Sequence, residues 1–155
     1  MFLGPYAMTR AAFWEWPRLH GVVALVCLVV FAATAAGWAV GAITRRLAGG
    51  PPGAVPWPAR GVGLVIAVLD AGFLAGSFGI MLSAAPYALL ERVPPALTTL
   101  RVIPLVTIPL TLALPILLVR SGPWTPLGRL HYALLTLTAF TFAGFVYYWN
   151  LLGLR

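Results

Sequence analysis

Four long apolar runs, parted by short segments rich in arginine, proline and glycine, leave this chain of 155 residues one way to fold. Hydrophobic residues make up 61% of it and charged residues 8%. Mean hydropathy is +0.97. A soluble domain of this size has too small an interior to hide that much apolar surface. A bilayer supplies apolar surroundings instead, and roughly 20 apolar residues in a helix cross its hydrocarbon core. In lipid every backbone N–H and C=O must be satisfied within the protein, which selects helices for runs of this length. The expected fold is all-α, an integral membrane four-helix bundle.

The spans are expected at about 19–44, 61–85, 97–119 and 130–152, so that 19–155 form one transmembrane domain. Residues 1–18 read as an interfacial lead-in segment. Phe2, Tyr6, Phe13, Trp14 and Trp16 alternate there with Arg10 and Arg18, and such rings prefer the headgroup level. The segment ends at Pro17, and its charges separate it from a secretory signal peptide. Arg45-Arg46 stops the first span. Residues 47–59, LAGGPPGAVPWPA, hold four prolines and three glycines, which predicts a loop without regular helix. Glu91-Arg92 and Pro94-Pro95 close the second span. Pro104, Pro109 and Pro115 predict a bent third span. Residues 120–129 read as a tight polar turn, and Tyr147-Tyr148-Trp149-Asn150 as an interface marker.

The net charge of +7 comes from ten arginines without a lysine. They sit at span ends, where they contact headgroups and set topology. Nucleic-acid binding is excluded, because no basic soluble surface is left to form its footprint. Four spans put both termini on one side. Arg10, Arg18, Arg92, Arg101 and Arg155 lie there, and Arg45, Arg46, Arg60, Arg120 and Arg129 lie on the other. The counts tie, and the Arg45-Arg46 pair tips the loops inward and both termini out of the cytoplasm. The single cysteine, Cys27, cannot form an internal disulfide and reads as a small apolar filler.

Asp70 is the sharpest oddity, an ionisable group about ten residues into the second span. Such a residue raises a functional hypothesis, here a proton or cation site. Depth counting supports a structural role. At 1.5 Å per residue, the same depth on the other spans reaches Thr34, Thr111 and Thr138 or Thr141. A threonine layer around Asp70 follows, with hydroxyls joining helices at roughly 1 kcal/mol each. Small residues four apart are the second signal. Gly37 and Gly41, and again Gly72 and Gly76, form GxxxG, with Ala33 and Gly79 extending the stripes. They predict close packing of the first span on the second, with dimerisation as the alternative. His20 and His131 fall on opposite membrane faces and cannot share a metal. No catalytic constellation is present: no Ser-x-x-Lys, no Gly-x-Ser-x-Gly elbow, no phosphate loop and no His-Glu-x-x-His. No cofactor is expected.

The run RLHYALLTLTAFTFAGFVYYWNLLGLR at 129–155 resembles the tail of bacterial β-lactamase-related, penicillin-binding-protein-like serine hydrolases with a C-terminal membrane domain. The resemblance rests on Arg129, Leu130, His131 and Tyr132, then on Tyr148, Trp149, Asn150, Leu151, Leu152 and Gly153. GPYAMTRAAFWEWPRLH at 4–20 is similar to the linker leading from the hydrolase into its first membrane helix. The family's catalytic Ser-x-x-Lys is missing, so no catalytic residue carries over. What the resemblance implies is architecture: four helices with the linker side outside the cytoplasm, in the bacterial cytoplasmic membrane. It also implies a membrane domain detached from its hydrolase: a separate small gene, a longer protein whose start codon is misplaced at Met1, or a remnant of a longer one. The expected role is a non-catalytic anchor or accessory domain, whose partners are the lipid bilayer and a serine hydrolase domain or another membrane protein. The alternatives are a small transporter or membrane-complex subunit using Asp70, and a lipid-binding scaffold assembled through the GxxxG faces.

Overall fold

The computed structural model describes residues 16–48, 56–83, 95–120 and 124–152. All regular structure among them is helical. Helix α1 spans Pro17–Ala48 and α2 spans Trp57–Ser83. The third span is broken into α3 (Pro95–Leu100), α4 (Val102–Thr111) and α5 (Ala113–Arg120), and α6 spans Pro126–Tyr148. Four stretches are long and apolar enough to cross a membrane, the third running Thr98–Arg120. The protein is a multi-pass membrane helical bundle.

The helices overrun several expected limits, and proline position explains it. Residues 47–48 continue α1, and 57–59 already belong to α2, inside the stretch expected to be loop. Pro58 falls in the first turn of α2, where its missing N–H has no intrahelical partner to lose. The expected turn at 120–129 likewise contains the start of α6. Thr125 caps that helix, its Oγ1 accepting from the Gly128 N–H at 3.1 Å, and Pro126 follows at the first helical position. The interfacial lead-in falls almost wholly on residues outside those described; α1 itself opens at Pro17.

The third span, expected to be bent, is interrupted ahead of two of its three prolines, while Pro109 sits inside α4. Pro115 has no N–H for the Thr111 carbonyl, and Pro104 none for that of Leu100. The interruptions fall at Leu112 and Arg101, just past those carbonyls. Leu112 N–H turns to the Pro109 carbonyl at 3.2 Å, a tighter i→i−3 bond.

Helix α6 stops through a left-handed residue. Asn150 has φ 49°. The Leu151 N–H reaches the Val146 carbonyl at 3.0 Å and the Asn150 N–H reaches Tyr147 at 3.1 Å. That pair of bonds is a Schellman stop, with Asn in the position glycine usually takes.

The spans pack in a ring in chain order: α1 against α2, α2 against the third span, the third span against α6, and α6 back on α1. Neighbours are antiparallel. Trp38 meets Gly63, Asp70 meets Thr107, and Gly76 meets Leu100, so numbers fall on one helix as they rise on the next. The core gathers Phe31, Ile66, Phe73, Leu114, Tyr132, Leu135, Phe142 and Val146. Phe142 receives Phe31 and Phe73 edge-on, at centroid distances of 5.8 and 5.6 Å, the geometry aromatic quadrupoles favour. Valines and leucines such as Val22, Val26, Val29, Leu105, Leu130 and Leu137 face outward, as lipid-facing positions do.

Candidate functional site

Among the described residues, one place inside the bundle brings a carboxylate to a hydroxyl. The inward stripe of α2 runs Ala59, Gly63, Ile66, Ala67, Asp70, Phe73 and Leu74, spaced by three and four as one helix face requires. Asp70 lies on that stripe, so it is turned from lipid and fully buried. Helix α4 offers Pro104, Thr107 and Thr111 on the same principle. Thr107 Oγ1 donates to Asp70 Oδ1 at 2.7 Å, across the α2–α4 contact. Thr111 Oγ1 in turn donates to the Thr107 carbonyl at 2.9 Å.

Two buried oxygens of this region have no hydrogen-bond partner, Asp70 Oδ2 and Thr34 Oγ1. An unpartnered buried polar atom is costly. Asp70 therefore has one hydroxyl donor and one open oxygen at a depth where a bare charge is expensive. Chemically, the arrangement ties two helices together and leaves Oδ2 open to a proton or a small donor.

Of the four threonines expected around Asp70, three are buried and none of the four bonds to it. Thr34, Thr111 and Thr138 are buried with Asp70. Thr138 bonds back to the Leu134 carbonyl at 2.9 Å, and its own carbonyl is approached by Cys27 Sγ at 4.0 Å. Thr141 does not join the layer. It is exposed and bonds to the Leu137 carbonyl of its own helix, because the buried stripe of α6 passes through Thr138, Ala139 and Phe142 and leaves position 141 to one side. Thr107, the residue that actually touches Asp70, was missed by depth counting. The available signal was its spacing of four from Thr111, which puts both on one face.

The glycine motifs do not perform the packing expected of them. Gly37 and Gly72 are exposed, and a Cβ at either meets nothing within 4 Å. Gly41 faces only the Arg45 side chain of its own helix, and Gly76 meets Leu100 of α3 at 3.2 Å. Gly72 follows Asp70 by two residues, about 200° around the helix, which turns it away from the core. The glycine that α1 does pack against is Gly63, which makes room for the tip of the Trp38 ring. A Cβ there would lie 2.9 Å from Trp38 Cη2 and 3.0 Å from Leu135 Cδ2.

The histidines occupy opposite ends of the bundle. His20 stacks on Tyr148 at 4.7 Å and meets the edge of Trp149 at 5.1 Å. His131 contacts Trp38 edge-on at 5.7 Å. Among the described residues no group of His, Cys, Asp and Glu could hold a metal. A shallow groove on the outer α1–α6 surface, between His20, Val23, Thr141 and Phe145, does not reach Asp70. The residues that carry the hydrolase resemblance serve the ends of α6. Arg129 is exposed, Tyr132 is fully buried beside Trp124 at 5.0 Å, and Trp149 and Asn150 form the helix stop; Gly153 lies outside the described residues. No protein family, curated protein or solved structure matches the chain.

Proposed function

We propose that this chain is a membrane anchor or accessory domain without catalysis of its own, serving an extracytoplasmic β-lactamase-related serine hydrolase carried in the same polypeptide or another. The observation behind the anchor reading is the Asp70–Thr107 bond. It engages the sole carboxylate among the described residues between two helices, which is a structural use of a costly group. The resemblance of 129–155 and 4–20 supports the hydrolase as partner, and with it a bacterial cytoplasmic membrane and extracytoplasmic termini. The test is an epitope tag after Arg155 at the chromosomal locus, followed by capture from detergent and labelling with a serine-reactive fluorophosphonate. Label on the tagged band itself, or on a protein captured with it, is the expected result. Absence of label from both overturns the assignment.

A second reading, a small transporter or membrane-complex subunit, draws on the open Asp70 Oδ2. Proton uptake by proteoliposomes that disappears in Asp70→Asn supports it, and uptake indifferent to that change removes it.

A further inference from the structure

Two arginines converge where α1 ends and α2 begins. Arg60, in the first turn of α2, donates through Nη2 to the Trp38 carbonyl at 2.6 Å. Arg45 folds back along α1 until its guanidinium lies over Gly41, where a Cβ would stand 3.1 Å from Nη1. Gly41 is three residues past Trp38, so both guanidiniums sit over nearly the same turn of α1. They lie within electrostatic reach of each other. Arg45 Nη2 is buried and has no hydrogen-bond partner.

This pair has no counter-charge among the described residues. Asp70 is the single carboxylate among them, and it is ten residues further along α2, about 15 Å away along the axis. The carbonyls at the end of α1 favour a cation in its last turn, yet they leave Arg45 Nη2 unbonded. Two like charges held together beside an open buried donor are completed by an anion. The same end of the bundle also carries large apolar side chains that are exposed, Ile43, Leu47 and Trp57. Guanidinium forks match phosphate oxygens two at a time, and at the end of two membrane spans the phosphate at hand is that of a phospholipid headgroup.

We propose that Arg45 and Arg60 form a binding site for the phosphodiester of an anionic phospholipid in the leaflet at the α1–α2 end. The full chain in non-ionic detergent is mixed with phosphatidylglycerol, phosphatidylcholine or inorganic phosphate, and bound lipid is read by native mass spectrometry. Phosphatidylglycerol is retained in preference to phosphatidylcholine, and inorganic phosphate does not displace it. Arg45→Gln lowers retention about tenfold, the loss of one charge-assisted hydrogen bond. Arg46→Gln removes the same charge from the same exposed helix end and keeps retention within about twofold, as expected for a screened surface charge. Equal losses in the two variants mean diffuse attraction and overturn the site. Displacement by inorganic phosphate, or equal retention of the two lipids, also overturns it. Arg60→Gln gives up the Trp38 bond as well, so Arg45→Lys serves as the variant that preserves folding. It keeps the charge without the fork, and unchanged retention in it overturns the two-oxygen geometry.

Discussion

The middle of the bundle and its α1–α2 end both place polar groups against apolar helices, and they satisfy them differently. At mid-depth Asp70 has a single hydroxyl donor among the described residues, while its Oδ2 and the Oγ1 of buried Thr34 are unpartnered. At the end, Arg60 reaches a backbone carbonyl at 2.6 Å, and headgroups lie within reach of long side chains. Packing differs in the same sense. Aromatic rings pack on one another in the middle, whereas at the end the Trp38 ring fits over a glycine. Depth in the membrane sets the difference: polar groups near the surface can recruit partners from outside the chain, and those at the centre depend on the few hydroxyls that neighbouring helices supply.

The largest expected effect lies at the end region. Gly63→Leu drives a side chain into Trp38 and Leu135, and overpacking of this kind costs roughly 1–3 kcal/mol or more. Thermal unfolding in detergent should show a clear fall in midpoint, and an unchanged midpoint would break the contrast in packing. In the middle, Thr107→Val removes the only donor to Asp70 among the described residues and should cost about 1 kcal/mol, whereas Thr34→Val removes a hydroxyl without a partner and should be neutral or mildly stabilising. Equal costs for the two threonines, measured by the same unfolding assay, would show that the layer is satisfied otherwise than described. Asn150→Ala should lose roughly 1 kcal/mol through the left-handed backbone at the α6 stop, and Asn150→Gly should not. Smallest of all, Gly37→Ala and Gly72→Ala meet open space and should change monomer stability by less than about 0.5 kcal/mol. A larger change for either, or a loss of dimers on cross-linking, would assign those faces to contact between copies.

Particular residues show how far the chain could be read before its structure. The four spans were legible because apolar run length and membrane thickness leave little freedom. The breaks in the third span followed from prolines whose missing N–H groups have fixed positions. Asp70 was legible as an oddity, and Thr34, Thr111 and Thr138 as candidates for a layer at its depth, because depth is a count of residues from a loop; the structure shows the three buried. Thr107 and the outward turn of Thr141 were not, because depth carries no information about rotation around a helix axis. The glycines failed for the same reason: a spacing of four defines a stripe, and the stripe through Gly72 faces away from the one through Asp70.

Length, hydropathy and proline placement determine that this chain crosses the membrane four times as helices, since those properties act along the chain and against the bilayer. The ring order of the spans, the Asp70–Thr107 bond, the seat of Trp38 over Gly63 and the meeting of Arg45 with Arg60 were decided only in the folded bundle. Each depends on the rotation of one helix against another, which is set by packing over the whole interface and is written in no single stretch of sequence.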